Sequence, residues 1–196
     1  MELPDDKGTY VLIVSVEQMK RLEIGRLGVF DVVPGFYAYV GSAFGPGGIR
    51  VRVGHHLESV AAPHWHIDYL LRFATPVEVW FAMSDRRLEQ DWAELLEDAP
   101  GFRTPIPRFG SSDYRRSRTT HLFYAKRRPS FRWFEEQIRQ GFEAEVRPQR
   151  VVLDGGWRQA VPRPGRCPAS VCVLSRQAPP RHDRTRHARH GDGATP

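Results

Sequence analysis

An unbroken apolar run near the start of the chain, residues 10–16, limits most strongly how this sequence can fold. Its β-branched side chains are typical of a buried strand. Two shorter apolar runs, 29–33 and 36–40, are separated by the turn dipeptide Pro34-Gly35. Residues 77–83 alternate well enough to predict a third core strand, central in the sheet. We therefore predict a small, mostly antiparallel, three-stranded sheet.

Helical periodicity accounts for much of the remaining sequence. Four segments have apolar residues at helical spacing, namely 49–57, 66–73, 87–96 and 131–145. The polar stretch 17–24 also has helical potential. Ser130 is placed to cap the last of the four helices. Helices that flank a small antiparallel sheet make an α+β fold.

Positive charge is concentrated in the C-terminal third of the chain. The formal net charge is +6, but residues 1–126 hold 15 Lys and Arg against 16 Asp and Glu. Residues 127–196 hold 14 Arg against 7 acidic residues. From about residue 147 the chain is rich in Arg, Pro and Gly with little periodicity, which favours disorder. We expect a domain at 1–126, an additional helix at 127–146 and a basic tail at 147–196.

Composition also excludes several classes of protein. No stretch approaches the roughly 20 apolar residues that span a bilayer, and the acidic N-terminus is unlike a secretory signal. The two cysteines, Cys167 and Cys172, lie far downstream, so they provide no disulfide framework for the first domain. We therefore expect a cytoplasmic protein that does not enter a membrane.

Five residues of the first domain could together carry out phosphodiester chemistry. Tyr10 and Tyr39 lie on strands predicted to be adjacent, and Arg52 and His56 are four residues apart on one helical face. Glu89 begins a later helix. Phosphodiester hydrolysis needs a cation, a carboxylate for a divalent metal and a group that takes a proton from water. Taken alone, each of these residues is more often explained by packing, solvation or the helix dipole than by catalysis.

The joint pattern resembles a known nuclease superfamily. Gly8-Thr-Tyr10 followed by Tyr39-Val-Gly41 is similar to the paired tripeptides that name the GIY-YIG nucleases. Arg52 and Glu89 stand where that family places its other two catalytic residues. The resemblance extends to one branch, domain of unknown function DUF123, through six sequence blocks in order. These blocks are residues 35–43, 45–48, 56, 64–70, 109–113 and 121–123.

The resemblance implies a metal-dependent endonuclease that hydrolyses nucleic acid, with DNA as the expected substrate. Glu89 would hold Mg²⁺, or Mn²⁺, with water and phosphate oxygens as the other ligands. Arg52 would stabilise charge on the phosphate in the transition state. Tyr10 or Tyr39 would orient or deprotonate the attacking water, and His56 is an alternative base. The sequence leaves the choice between Tyr10 and His56 open.

Further residues are expected to bind substrate or to support the catalytic group. They are Gly41, Ser42, His64, His66, Asp68, Ser112 and Asp113. The superfamily supplies an asparagine after the glutamate helix, and this chain contains none, so Ser112 or Asp113 would replace it. The run 64–68 has three interpretations: a cluster near the substrate, a transition-metal site, or a hydrogen bond from Asp68 to a histidine that pins a loop.

Two rival functions follow from the same sequence. The missing asparagine favours a catalytically weakened nucleic-acid-binding module of the same fold. An interaction domain without nucleic acid is the least favoured interpretation, because Tyr10, Tyr39, Arg52 and Glu89 are all present. The sequence leaves open the choice of DNA or RNA, the site of cleavage and the oligomeric state.

Overall fold

The computed structural model describes residues 2–58, 63–110 and 120–153. All of them belong to one compact unit, Met1–Val161. Ser112 and Asp113 lie outside the described residues, as does the expected tail from residue 154 onward. Among the helices described, none combines the length and apolar character needed to cross a membrane.

The described residues form eight strands and four α-helices. The strands are β1 (Gly8–Val16), β2 (Lys20–Ile24), β3 (Gly28–Val32), β4 (Gly35–Ala43), β5 (Thr75–Met83), β6 (Phe102–Arg103), β7 (Leu122–Ala125) and β8 (Gln149–Val152). The helices are α1 (Gly48–Leu57), α2 (His66–Leu70), α3 (Glu89–Glu97) and α4 (Phe131–Gly141). Strands and helices are mixed along the chain, which confirms the predicted α+β class.

Six of the strands form one sheet, in the order β6-β7-β4-β1-β5-β8, and all of its pairs are antiparallel. The antiparallel character is confirmed, but the predicted count of three strands is wrong. The run 29–33 does not join this sheet, because β3 pairs with β2 in a separate hairpin. Strands β6, β7 and β8 extend the sheet instead, and β8 lies in a segment that the sequence analysis assigned to the tail.

The inner position of β1 explains its unbroken apolar run. Tyr10 and Leu12 pack in one core cluster, whereas Val11 and Ile13 pack in another on the opposite side of the sheet. Successive strand residues point to opposite faces. Helices α1 and α2 cover one face, the α1 face, and α3 and α4 cover the other, the α3 face. Because both faces are buried, β1 has little need for polar side chains.

The expectation of helical structure at 17–24 is wrong. Residues 20–24 form β2, in which Leu22 and Ile24 are buried while Lys20, Arg21 and Glu23 are exposed. The two buried side chains are two residues apart, and only an extended backbone brings such a pair to the same side. Burial of these side chains therefore overrides the helical potential of the stretch.

Helix α4 belongs to the same core as the sheet. Phe134 and Ile138 are fully buried in the cluster that contains Trp80 of β5. The Ser130 hydroxyl accepts a hydrogen bond from the backbone N–H of Trp133 at 3.3 Å, which confirms the predicted cap. Residues beyond 126 thus complete the α3 face of the sheet.

Candidate active site

Three buried side chains form a continuous hydrogen-bonded chain on the α1 face. The Tyr10 hydroxyl lies 2.9 Å from Nε2 of His56, and Nδ1 of His56 lies 3.0 Å from Oδ1 of Asp68. The second carboxylate oxygen, Oδ2, accepts the backbone N–H groups of His64 at 2.9 Å and Trp65 at 2.8 Å. Tyr10, His56 and Asp68 are at most 2% exposed. Their polar atoms are therefore satisfied within the protein.

The protonation states of this chain follow from burial and charge. Burial would raise the pKa of Asp68, but hydrogen bonds from His56 and from the backbone outweigh it and lower the pKa. Burial lowers the pKa of His56, although Asp68 opposes that shift. Burial also raises the pKa of Tyr10 well above its ordinary value. At neutral pH the ionised Asp68 accepts from Nδ1–H of a neutral His56, whose Nε2 accepts from the phenol.

A second polar cluster surrounds Glu89 at the start of α3. The Ser42 hydroxyl donates to Oε2 at 2.8 Å, and Nδ1 of His121 lies 3.1 Å from Oε1. Arg87 donates to the same Ser42 oxygen at 3.3 Å. Burial would raise the pKa of Glu89, but His121, Ser42 and Arg87 outweigh it and lower the pKa. The carboxylate is therefore ionised at neutral pH.

Strand pairing places the two clusters at neighbouring positions of β1 and β4, on opposite faces of the sheet. Tyr10 of β1 lies opposite Gly41 of β4, and Thr9 lies opposite Ser42. Adjacent strand residues face opposite sides, so Tyr10 points to the α1 face and Ser42 to the α3 face. The backbone N–H of Leu88 donates to the Thr9 hydroxyl at 3.1 Å, which ties the start of α3 to β1.

Gly41 makes room for the Tyr10 hydroxyl. A Cβ atom at position 41 would lie 2.4 Å from that hydroxyl oxygen, well inside van der Waals contact. Only glycine at this position therefore leaves room for the Tyr10 phenol to lie against β4 and reach His56. The structure thus gives Gly41 a steric relation to Tyr10.

Arg52 and Glu89 both act electrostatically on the two tyrosines. Burial raises the pKa of Tyr39, Glu89 raises it further and Arg52 lowers it. The same two charges act on the pKa of Tyr10, with the same signs. The ring centroids of Tyr39 and His56 are 6.0 Å apart. Tyr10, Tyr39 and His56 are therefore neighbours, and the charges of Arg52 and Glu89 reach both tyrosines.

The Trp65 ring contacts both the guanidinium of Arg52 and neighbouring imidazole rings. The Arg52 guanidinium carbon lies 4.6 Å from the centre of the Trp65 ring, within the range of a cation–π interaction. The rings of His55 and His64 lie edge-on to the same indole, with centroids at 4.7 and 4.6 Å. The backbone N–H of Trp65 also holds Asp68. One residue thus links Arg52 to the Asp68–His56 pair.

His66 supports the loop beside Tyr39. Its Nδ1 accepts the backbone N–H of Gly110 at 3.0 Å, and its ring packs against Phe109, whose own ring packs against Tyr39. Across residues 2–58, 63–110 and 120–153, no group of three or more His, Cys, Asp or Glu is arranged to hold a metal. The geometry of the run 64–68 matches the loop-pinning interpretation, with His56 as the histidine that binds Asp68.

Two residues of the Glu89 cluster were missed by the sequence analysis. His121 opens the last block of the family resemblance, and Arg87 precedes Glu89 by two residues, so both carried a weak signal. His121 reaches Glu89 because the chain at residue 121 runs beside β4, where its carbonyl accepts the N–H of Val40 at 2.9 Å. Such a pairing across the sheet cannot be deduced from local sequence.

Glu89 is the side chain best suited to hold a hard cation. Its carboxylate is ionised and its side chain is 15% exposed. Within the described part of the chain, each oxygen receives one contact, which leaves lone pairs for another ligand. Mg²⁺ is commonly held by one or two carboxylates, with water and phosphate oxygens as its other ligands. A single carboxylate therefore fits such an ion.

Comparison with known proteins gives one match. The sequence model of a family described as domain of unknown function DUF123 matches residues 9–143, from β1 to α4. Neither a curated protein nor a solved structure matches the chain. The matched segment includes all the residues of both polar clusters and more than half of the chain. On this basis the chain belongs to the DUF123 family.

Proposed function

We propose that this chain is a metal-dependent endonuclease of the GIY-YIG type, which hydrolyses phosphodiester bonds of nucleic acid, with DNA as the expected substrate. One observation carries the proposal: the Tyr10 hydroxyl lies 2.9 Å from His56, in a hydrogen-bonded chain that ends on Asp68. The charges of Arg52 and Glu89 both reach Tyr10, Arg52 lowering its pKa and Glu89 raising it. A cation, a carboxylate and a proton acceptor are thereby combined, as phosphodiester hydrolysis requires.

Tyr10 and His56 form the proposed proton path. The raised pKa of Tyr10 keeps it a neutral phenol, so a standing phenolate is not available as a base at neutral pH. The Tyr10 oxygen takes a proton from the attacking water while its own proton passes to Nε2 of His56. Asp68 then pairs with the imidazolium that forms. This relay uses both of the residues between which the sequence leaves the choice open.

Bond changes at phosphorus accompany this proton transfer. The water oxygen forms a bond to phosphorus as the bond to the leaving oxygen breaks, and the leaving oxygen takes a proton from solvent. Arg52 presents its planar guanidinium to the phosphate oxygens as their charge grows. The Tyr39 hydroxyl makes no hydrogen bond to any described residue, so it can donate to a phosphate oxygen.

Glu89 is the proposed holder of the metal. Bound there, Mg²⁺ or Mn²⁺ would polarise the phosphate and offset the charge of the leaving oxygen. Ser42 and His121 orient the two carboxylate oxygens, and the low pKa of Glu89 keeps them ionised. Outer partners of this kind set the direction and basicity of a ligand.

The decisive experiment is cleavage of flapped, branched and plain duplex DNA with Mg²⁺, and of RNA of the same sequence. Glu89→Gln and Arg52→Ala are each expected to lose on the order of a hundredfold in rate or more. Two matched controls remove a similar charge from the same helices: Glu97→Gln on α3 and Arg50→Ala on α1. Both side chains are exposed, and the surface ion pair of Arg50 with Asp5 contributes little stability.

The outcome separates the proposal from its rival. Loss in Glu89→Gln and Arg52→Ala with wild-type rates in the controls supports the nuclease. Cleavage that persists in both site variants would come from a contaminant and would overturn the proposal. Tight binding by the wild type without cleavage of any substrate would support the weakened binding module instead.

A further inference from the structure

A groove of about 450 Å³ lies at the end of the sheet remote from Tyr10. Its wall includes Ala125, which pairs with Phe36 at the start of β4, whereas Tyr10 pairs with Gly41 near the end of that strand. Positions 36 and 41 are separated by about 17 Å along an extended strand. The groove is therefore distinct from the candidate active site.

The groove combines an apolar floor with a cationic rim. Phe102 and Trp133, both partly buried, contribute aromatic surface, and Lys126, Arg127 and Arg128 line one side. The Trp133 backbone N–H is held by the Ser130 cap, which fixes the first turn of α4. A ligand suited to this surface has flat apolar parts linked by anionic groups.

Two of the three cations are available for a ligand. Arg128 is committed to an ion pair with the buried Glu78. Lys126 and Arg127 are exposed, and neither forms an ion pair within the described part of the chain. None of the described residues that line the groove is acidic. The charge of its rim is therefore positive and open to anions.

We propose that this groove binds a single-stranded segment of nucleic acid, with bases against Trp133 and Phe102 and phosphates on Lys126 and Arg127. The proposal rests on the proposed function, because it assumes that the chain acts on nucleic acid. Sites for single strands combine a cationic groove with aromatic stacking surfaces. A duplex keeps its bases stacked inside, so it would leave the apolar floor unused. The groove thus favours flapped or branched substrates, whose single-stranded arm adjoins the duplex at the active site.

Binding of a fluorescein-labelled thymidine oligonucleotide to the full chain, with EDTA to prevent cleavage, tests the groove. The double variant Lys126→Gln/Arg127→Gln is expected to weaken binding and to reduce the salt slope by about 1.4, roughly 0.7 for each lost phosphate contact. The matched control is Lys20→Gln/Arg21→Gln on the exposed side of β2, which removes the same charges. It should bind like the wild type.

Stacking is tested separately from charge. Trp133→Leu should weaken binding roughly five- to 150-fold without changing the salt slope, because base stacking carries no counterion release. Trp133→Phe keeps an aromatic ring and should retain most of the affinity, and it serves if the leucine variant fails to fold. Thermal unfolding of each variant shows whether a loss of binding follows from a loss of structure.

Three results would overturn the proposal that the groove binds a single strand. They are unchanged affinity in folded groove variants, an equal loss of affinity for duplex of the same sequence, or displacement of the labelled oligonucleotide by polyglutamate as readily as by unlabelled oligonucleotide. The last would identify a site for acidic polypeptides. If the wild type cleaves DNA but the groove variants bind normally, the proposed binding site is wrong and the proposed nuclease activity is supported. If no substrate is cleaved but the groove variants lose binding, the proposed binding site is supported and the proposed nuclease activity is wrong.

Discussion

The Tyr10 hydroxyl and Nε2 of His56 are 2.9 Å apart, although the two residues are separated by 46 positions in the chain. The contact joins the first strand of the sheet to α1 inside the core. Because Asp68 holds the other ring nitrogen, His56 is fixed in orientation and tautomer. A hydroxyl next to an acceptor fixed in this way is ready to pass on a proton.

Removing the Tyr10 hydroxyl should lower stability slightly and slow cleavage strongly. Tyr10→Phe leaves Nε2 of His56 without its donor, which should lower the free energy of unfolding by about 1–2 kcal/mol. It should also slow cleavage by roughly 10²- to 10⁴-fold, the range for a lost acid–base group. Urea denaturation and single-turnover cleavage measure the two effects.

The control is Tyr37→Phe, two residues from Tyr39 on β4. The Tyr37 hydroxyl is bonded to the backbone of Val33 at 2.9 Å, and burial raises its pKa to about 12. We expect a similar loss of stability with unchanged cleavage. Equal loss of cleavage in both variants would mean that the Tyr10 hydroxyl has only a structural role.

Gly41→Ala should damage the site through steric overlap. The added methyl would lie 2.4 Å from the Tyr10 hydroxyl, so the phenol or the strand must move. We expect lower stability and a large loss of cleavage. Gly45→Ala is the matched control, because a Cβ there meets nothing within 4 Å. If Gly41→Ala cleaves at the wild-type rate, Tyr10 does not need its present position.

The protein should become less stable as the pH is lowered below about 6.5, because of His56. Burial lowers its folded-state pKa below the ordinary value of about 6.5. As the pH falls, His56 is therefore protonated in the unfolded chain before it is protonated in the folded protein, which favours unfolding. The contribution of neutral His56 to the free energy of unfolding is complete above about pH 6.5 and is lost as pH falls toward the folded pKa. Asp68 and Glu89, whose pKa values are lowered, should lose their stabilisation only below about pH 4.

Urea denaturation at about pH 7.5 and about pH 5.5 checks the His56 window. His56→Gln should be less stable than the wild type at both values, but it should show a smaller drop between them. Tyr37→Phe, which removes a buried hydroxyl bonded to Val33, should lose stability but keep the wild-type drop. An undiminished drop in His56→Gln would assign the pH dependence to another group.

His121→Gln should increase the Mg²⁺ requirement of cleavage. Among the described residues, His121 and Ser42 are the side chains that contact and orient the carboxylate of Glu89. Loss of such an outer partner typically weakens metal binding by about 10- to 100-fold. The half-maximal Mg²⁺ concentration should rise accordingly, while saturating Mg²⁺ restores much of the rate. His64→Gln, at an exposed site, should leave that concentration unchanged, and so would His121→Gln if Glu89 holds no metal.

Local sequence predicted the elements whose apolar period was clear. The strand at β1, the helices α1, α3 and α4, and the cap at Ser130 agree with the structure. The same reasoning failed at β2, where two buried residues, Leu22 and Ile24, outweighed a polar helical composition. It also missed β8, since a four-residue edge strand carries almost no periodic signal.

The sequence by itself determined which residue types are present, which segments repeat with a period of two or 3.6, and that the chain resembles one family. Only the tertiary structure decided that His56, rather than His64 or His66, is the histidine that Asp68 binds, and that His121 meets Glu89. The physical reason is that these contacts join residues far apart in sequence, so they depend on strand order and helix packing. Protonation is decided there too, because burial sets the pKa values of Tyr10 and His56.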